Sequence, residues 1–156
     1  MARKTKASVL IIEARFYEDI AEELSRGAIA ELESYGVDYE RIFVPGALEI
    51  PLALSLALAN GFVGRAGHHR AAIALGCVIR GETSHYDIVA RESAAGLHQI
   101  AVEHGVPIGN GIITTETREQ ACERAAVDKR NKGGDAAAAC LVLMELERHF
   151  SQASRR

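Results

Sequence analysis

The sequence predicts an α/β domain built on a parallel sheet that helices cover on both faces. Short β-prone segments occur at 8–14, 39–44, 71–79 and 106–114, and longer segments with helical periodicity separate them. The first and third of these segments are mostly apolar, which is typical of strands buried on both faces. The alternation of strands and helices is the pattern of a parallel sheet. A length of 156 residues favours one domain with a single core.

The first half of the chain contains two predicted strand–helix pairs. In 16–36, which follows the first strand, apolar residues recur every four positions: Ile20, Leu24, Ala28 and Leu32. This spacing predicts an amphipathic helix, and Gly36 is a suitable stop. The segment 48–60 is predicted as a second helix, since Pro51 is tolerated in a first turn. A loop is predicted over 61–70.

The third strand is followed by a predicted helix over 84–104. Ser84 and Asp87 have the spacing of a capping box, with Asp in place of the more usual Glu. The fourth strand is weakened by Gly109 and Gly111, because glycine disfavours strand interiors.

The end of the chain is predicted to be helical. Thr117 with Gln120 indicates another helix start. The glycine pair at 133–134 is predicted to interrupt the chain before a last helix over 136–150.

Composition excludes several classes of protein. One domain is expected over 8–150, with flexible tails at 1–7 and 151–156. No apolar run approaches the ~20 residues that span a bilayer, and no signal-peptide pattern follows the basic start, so we expect a cytoplasmic protein. A net charge of -3 without a basic face argues against a nucleic-acid binder. The cysteines are far apart in sequence and are expected to be reduced and buried: Cys77, Cys122 and Cys140.

Polar residues cluster directly after the third strand, in the segment 80–87. In open parallel sheets, ligands bind beyond the carboxyl ends of the strands. A strand that enters a helix through Gly81 and Thr83 presents free backbone N–H groups and the positive end of a helix dipole, which favours an anion. The alternative is that Thr83 and Ser84 only cap the helix.

His85 lies in the first turn of this predicted helix, where the dipole disfavours a cationic ring. A neutral imidazole there can accept or relay a proton. The other histidines are expected to be bystanders: His68, His69, His98, His104 and His149. No set of His and Cys has the spacing of a zinc site, so no metal is expected.

The second strand ends in a similar arrangement, "VPGALEIP" at 44–51. Its Pro-Gly turn precedes Glu49, a lone acid among apolar residues. Glu49 either faces solvent or accepts hydrogen bonds from ligand hydroxyls. Phe16 directly follows the first strand at the same edge, where an aromatic ring can stack on a ligand instead of joining the core.

A basic segment follows the fourth strand and contains Arg124, Lys129, Arg130 and Lys132. Such a segment is either a solvated helix face or the source of a cation for a phosphate.

The motifs "RFY", "VPGALEIP", "GCVIRGETSHYDIVA", "GNGIITTET" and "NKG", in this order, resemble the 6,7-dimethyl-8-ribityllumazine synthase family over about residues 8 to 150. The resemblance implies a flavodoxin-like three-layer domain with a four-stranded parallel sheet. It implies condensation of 5-amino-6-ribitylaminouracil with 3,4-dihydroxy-2-butanone 4-phosphate, the penultimate step of riboflavin biosynthesis. It implies no metal or organic cofactor.

The resemblance also implies roles by motif position. The pyrimidine and its ribityl chain are held by Phe16, Gly46, Ala47, Glu49, Val78 and Ile79. The phosphate is held by Gly81, Glu82, Thr83 and Arg124. His85 transfers protons, Lys132 lies near the ribityl pocket, and Asn110 stands where several members carry an aromatic that covers the ring. Tyr17 stands where many members have Asn.

Relatives assemble from rings of five subunits, so the resemblance implies a homo-oligomer built from pentamers, up to a closed shell. Two rival hypotheses stay open on the sequence. One is a non-catalytic carrier of flavin or lumazine, and the other is a shell or scaffold protein.

Overall fold

The computed structural model describes residues 7–155. Within them the strands and helices are β1 (Ser8–Ala14), α1 (Glu18–Ser34), β2 (Asp38–Val44), α2 (Ile50–Ala59), β3 (Ala71–Ile79), α3 (His85–His104), β4 (Ile108–Thr115), α4 (Arg118–Ala125) and α5 (Lys132–Ala153). A one-turn 3-10 helix, Ala47–Glu49, precedes α2. The tail predicted at 1–7 lies outside the described residues apart from Ala7.

The strands form one sheet in the order β2-β1-β3-β4, and all neighbours are parallel. Helices α1, α4 and α5 cover one face, and α2 and α3 cover the other. The predicted flavodoxin-like α/β/α architecture with a four-stranded parallel sheet is confirmed. All four strands therefore end at the same edge of the sheet, and their carboxyl ends surround one region of the surface.

Strand β1 shows why the sheet is buried on both faces. Val9 and Ile11 pack into the core beneath α1 and α5, whereas Leu10 and Ile12 pack into the core beneath α2 and α3. Successive side chains of a strand point to opposite faces, so a strand between two helical layers carries apolar residues on both faces.

Glu13 is an exception in β1, because its carboxylate is fully buried. Nε of Arg41 donates to Oε1 of Glu13 over 2.6 Å, and Nη1 of Arg15 donates to Oε2 over 2.9 Å. Both guanidinium groups also lie against the ring of Phe43. A buried carboxylate needs such charged partners, and here they connect the carboxyl ends of β1 and β2 just before Phe16.

Helix α1 begins later than predicted. Tyr17 has extended backbone (φ -108, ψ 95), so the first helical residue is Glu18 instead of residue 16. The predicted stop at Gly36 is confirmed, since this glycine has a left-handed φ of 65° and its N–H donates to the carbonyl of Glu33 over 3.0 Å.

The glycines of β4 have a tertiary explanation. A Cβ added to Gly109 would overlap the backbone carbonyl of Ala136 in α5, and one added to Gly111 would lie 2.7 Å from Cδ2 of Leu75. Helix α5 thus packs almost directly on the backbone of β4. These glycines, which weaken strand propensity, permit close packing of helix on sheet.

The prediction of a break at 133–134 is wrong. Both glycines lie in the first turn of α5, which begins at Lys132. Asn131 caps this helix, because its side-chain oxygen accepts from the N–H of Gly134 over 3.3 Å. The helix also continues to Ala153, past the predicted end at residue 150. Glycine occurs here because the backbone of α1 at Leu24 packs closely against Gly133.

The predicted start of α4 is confirmed, with Thr117 as the N-cap. Oγ1 of Thr117 accepts from the N–H of Gln120 over 3.2 Å, and Oε1 of Gln120 accepts from the N–H of Glu116 over 2.9 Å.

All three cysteines are free, and Cys140 is buried, but Cys122 is exposed on α4, contrary to prediction. No described helix is long and apolar enough to cross a membrane.

Candidate active site

A cavity of about 420 Å³ lies beyond the carboxyl ends of β1, β2 and β3. It is lined by Phe16, Tyr17, Pro45, Gly46, Ala47, Leu48, Glu49, Cys77, Val78, Ile79, Gly81, Thr83, His85, Tyr86 and Val89. Most of its wall is apolar, with a few polar groups at the rim. This is the composition of a small-molecule site, and its position is the one that parallel sheets use for ligands.

The structure brings most of the predicted site residues into this one cavity. Those that line it are Phe16, Gly46, Ala47, Glu49, Val78, Ile79, Gly81, Thr83 and His85. They come from three separate strand ends, which are distant in sequence. Four predicted residues are outside the lining: Glu82, Asn110, Arg124 and Lys132.

Phe16 forms one wall and leaves most of its ring free. Its side chain is 74% exposed, and its ring meets Tyr17 edge-on with centroids 5.0 Å apart. An aromatic ring so exposed at a cavity mouth offers a face on which a flat heterocycle can stack. The neighbouring Tyr17 ring is in turn covered by the guanidinium of Arg118, at 5.9 Å.

The turn after β2 forms the opposite side of the cavity. Gly46 is extended (φ -146, ψ 172) and leads into the 3-10 helix. A Cβ at Gly46 would lie 3.0 Å from Oε2 of Glu49, so the carboxylate lies against the glycine backbone. The exposed carboxylate of Glu49 also lines the cavity, where it can accept hydrogen bonds from hydroxyl groups.

The loop between β3 and α3 is held at its start by Arg80. Its backbone N–H donates to the carbonyl of Thr115 over 2.9 Å, and its Nε donates to Glu116 over 2.8 Å. The guanidinium also lies 4.2 Å from the ring centroid of Tyr86 and 3.4 Å from Asp87. These contacts hold the loop against the end of β4 and leave Gly81 and Thr83 at the cavity.

The predicted capping box at Ser84 is wrong. Ser84 has helical backbone angles and its side chain makes no cap hydrogen bond, while Asp87 is directed to Arg80. Oγ1 of Thr83 instead accepts from the N–H of His85 over 3.3 Å. The N–H groups of Asp87 and Ile88 donate to the carbonyl of Ser84, over 3.1 and 3.3 Å. The amino-terminal end of α3 directs the positive end of the helix dipole toward this loop, which favours an anion beside His85.

Cys77 is the group in the lining whose titration departs furthest from its ordinary value. Burial raises the pKa of its thiol to about 12, and the neighbouring Cys122 acts in the same direction. The thiol stays protonated at neutral pH, and a protonated thiol is a poor nucleophile. Cys77 therefore contributes a protonated thiol to the largely apolar wall of the cavity.

Of the four remaining predicted residues, Glu82 is exposed in the loop between Gly81 and Thr83, and the other three lie elsewhere on this chain. Asn110 is exposed on β4, where its Oδ1 accepts from the N–H of Ile112 over 3.0 Å. Arg124 is half-buried on α4, and its Nη1 donates to the carbonyl of Gln120 over 3.2 Å. Lys132 pairs with Asp135 over 2.8 Å. Arg124 has no acidic partner within the part of the chain that the structure describes.

Six lining residues are absent from the predicted site: Tyr17, Pro45, Leu48, Cys77, Tyr86 and Val89. Two of them follow from periodicity. Cys77 precedes Ile79 by two positions, so both point to the same face of β3, and Val89 follows His85 by one helical turn. The spacing of Cys77 from Ile79 and of Val89 from His85 could therefore have predicted both residues from the sequence.

A family model described as 6,7-dimethyl-8-ribityllumazine synthase matches residues 6–148. The protein of that name from Methylorubrum populi is 53% identical over 140 residues, which cover 90% of this chain and 82% of the relative. The one from Azorhizobium caulinodans is 53% identical over 144 residues, covering 92% and 88%. The one from Nitrobacter hamburgensis is 49% identical over 148 residues, covering 94% and 90%. The chain therefore belongs to the 6,7-dimethyl-8-ribityllumazine synthase family of transferases in riboflavin biosynthesis.

Proposed function

We propose that this chain condenses 5-amino-6-ribitylaminouracil with 3,4-dihydroxy-2-butanone 4-phosphate to give 6,7-dimethyl-8-ribityllumazine, phosphate and water. The observation that supports this most strongly is the shared cavity. It joins an exposed aromatic ring, a carboxylate at a glycine turn and an anion-favouring helix start with a histidine. A planar ring with a polyhydroxyl chain and a phosphorylated ketone require these three features.

In this proposal each substrate takes one side of the cavity. The pyrimidine stacks on Phe16. The carboxylate of Glu49 accepts hydrogen bonds from ring and ribityl groups, and the backbone N–H groups of the Gly46 turn donate to them. The phosphate lies at the start of α3, where Gly81 allows close backbone approach and Thr83 supplies a hydroxyl. Glu82 belongs to the same loop and helps to shape it.

The chemistry needs proton transfers more than it needs a strong nucleophile. The pyrimidine amine attacks the ketone, and loss of water gives an imine. β-Elimination releases phosphate, and attack by the ribitylamino nitrogen closes the ring with loss of a second water. His85, beside the phosphate loop, accepts and returns protons in these steps. Holding the two reactants together supplies most of the acceleration, which in favourable cases reaches ~7–11 kcal/mol.

We further propose that each site is completed by a neighbouring subunit in a ring of five, in a cytoplasmic homo-oligomer. Asn110, Arg124 and Lys132 are predicted site residues that do not line the cavity of their own chain. A head-to-tail interface presents such residues to the next subunit and closes into a ring. In this arrangement Arg124 binds the phosphate from across the interface, Lys132 lies near the ribityl chain, and Asn110 lies beside the ring.

The direct test is a turnover assay. Purified protein receives both substrates, and lumazine absorbance is followed against the same mixture without protein. We expect a rate well above the uncatalysed rate. Ligand binding without any acceleration would overturn the proposal and indicate a carrier.

His85→Ala is expected to slow turnover by up to about 100-fold without abolishing it, because positioned acid–base groups contribute ~10²–10⁴-fold and this chemistry proceeds partly unaided. The measurement is kcat between about pH 6 and 8, where imidazole titrates. His104→Ala is the matched control, since His104 is exposed at the far end of the same helix. Full activity of His85→Ala across this pH range would refute the proton-transfer role.

A further inference from the structure

Glu40, His68 and His69 form a cluster that the proposed reaction does not use. Each offers one ligand atom, and these three atoms lie within 4.8 Å of one another. Glu40 belongs to β2, and the two histidines end the loop before β3. The cluster lies toward the amino-terminal edge of the sheet, opposite the edge that holds the cavity.

His69 is held rigidly in this cluster. Its side chain is 1% exposed, and its Nδ1 lies 2.8 Å from Oγ of Ser8, the first residue of β1. The ring also meets Phe62 edge-on, with centroids 4.9 Å apart. Its Nε2 is consequently directed at Oε2 of Glu40, 3.1 Å away. Nδ1 of His69 is therefore hydrogen-bonded to Ser8, and Nε2 lies beside the carboxylate of Glu40.

This arrangement matches what a metal-binding histidine requires. Such a histidine commonly donates its second ring N–H to a neighbouring oxygen, which fixes its tautomer and orientation. In a tetrahedral zinc site with bonds of ~2.0–2.1 Å, ligand atoms are about 3.4 Å apart. The 3.1 Å between His69 and Glu40 is close to that separation. The exposed side chains of Glu40 and His68 need to shift by roughly an ångström to bring all three ligand atoms to tetrahedral geometry.

The surrounding charges also permit a cation. The carboxylate of Glu40 has no Lys or Arg partner among residues 7–155, and it pairs with His69. The nearby arginines of the loop are directed elsewhere, because Arg65 and Arg70 both pair with Glu147, at 3.3 and 3.0 Å. Neither of these two guanidinium groups is therefore paired with the carboxylate of Glu40.

We propose that Glu40, His68 and His69 bind a divalent transition-metal ion of the Zn²⁺ type, with Ser8 orienting His69 and water completing the coordination. Two imidazoles and one carboxylate are a ligand set that Zn²⁺ accepts, and imidazole favours zinc over magnesium or calcium. The ion would connect β2, the start of β1 and the loop before β3. Because the site is remote from the cavity, its role is to stabilise the fold and not to take part in the chemistry.

The test uses the full chain after treatment with a chelator. Thermal unfolding is followed with increasing ZnCl₂, and MgCl₂ serves as the comparison ion. We expect Zn²⁺ to raise the Tm by about 5 °C or more at a hundredfold excess over its Kd, since a ligand that binds only the folded state stabilises it by mass action. MgCl₂ should leave the Tm unchanged.

Variants show whether the effect arises at this cluster. His68→Gln and Glu40→Gln remove exposed ligands without opening the core, and each should weaken zinc affinity at least tenfold. Ser8→Ala should weaken it by roughly 10–100-fold through the orientation of His69 alone. His98→Gln, which changes an exposed histidine on α3, and Cys122→Ser, which removes an exposed thiol, should leave the affinity unchanged.

Cobalt provides a second readout. Co²⁺ in the cluster should give a ligand-field spectrum of nitrogen and oxygen ligands without thiolate charge-transfer bands. The proposal is overturned if Zn²⁺ leaves the Tm of the parent chain unchanged, or if its effect persists in both His68→Gln and Glu40→Gln. A thiolate spectrum that Cys122→Ser removes would also overturn it.

Discussion

Gly133→Ala is expected to destabilise the protein by roughly 3 kcal/mol or more. A Cβ at this position would overlap the backbone carbonyl of Leu24 in α1. Backbone atoms cannot rotate away as a side chain would, so the packed helices α1 and α5 must move apart. Helix propensity alone predicts the opposite sign, since alanine is favoured over glycine by ~1 kcal/mol in helices. The measurement is the free energy of unfolding in urea.

Gly81→Ala is the matched control for this prediction. A Cβ at Gly81 meets nothing within 4 Å, and Gly81 lies in the exposed loop before α3. The free energy of unfolding of Gly81→Ala should therefore stay within ~0.5 kcal/mol of that of the parent protein. A Gly133→Ala variant as stable as the parent, or more stable, would show that α1 and α5 are not packed as closely as described.

Arg124→Ala is expected to raise KM for the butanone phosphate by roughly 30-fold or more, with little change in KM for the pyrimidine. Removing one partner of a buried charge pair typically costs ~2–5 kcal/mol, and a guanidinium binds phosphate through charge and geometry together. Arg124 has no acidic partner among residues 7–155, so the change breaks no ion pair there. Arg130→Ala is the matched control, because Arg130 is exposed and already pairs with Glu123. Equal effects on both substrates would contradict the assignment.

The same variant tests whether two subunits share a site. His85→Ala and Arg124→Ala chains are co-expressed so that they assemble together. If the site is shared, random equal mixing leaves about a quarter of the sites with both residues intact. Mixing His85→Ala with Glu49→Ala is the control, since both residues line the cavity of one chain. This second mixture should give no more than the average of its parents. The shared site would be contradicted if activity recovered in the mixture of His85→Ala with Glu49→Ala but not in the mixture of His85→Ala with Arg124→Ala.

Local spacing was sufficient to predict the elements that form the site. The apolar run at 9–12 in β1 indicates burial on both faces, and Thr117 with Gln120 indicates a helix start. The positions of Phe16, Glu49 and His85 after successive strands predict that they meet, because parallel strands end at one edge of a sheet. Each of these inferences depends on neighbours within a few residues, or on a topology that the alternation of strands and helices implies.

Long-range packing decided the rest. Gly109 and Gly133 disfavour regular structure on local grounds, yet both occur inside it, because a helix from elsewhere in the chain packs against their backbone. Ser84 and Asp87 have the spacing of a capping box, but Asp87 is bound by Arg80 instead. The side chain that accepts a hydrogen bond at the start of α3 is Thr83, from the N–H of His85.

Charged partners were equally beyond the reach of the sequence alone. Nothing near Glu13 in the chain predicts that Arg41 will meet its buried carboxylate, and nothing near His69 predicts Glu40. The sequence by itself determined the sheet, its helical layers and the edge at which ligands bind, because these depend on periodicity and local turns. Only the tertiary structure decided which distant backbones approach and which charges pair, because those contacts exist only once the chain has closed on itself.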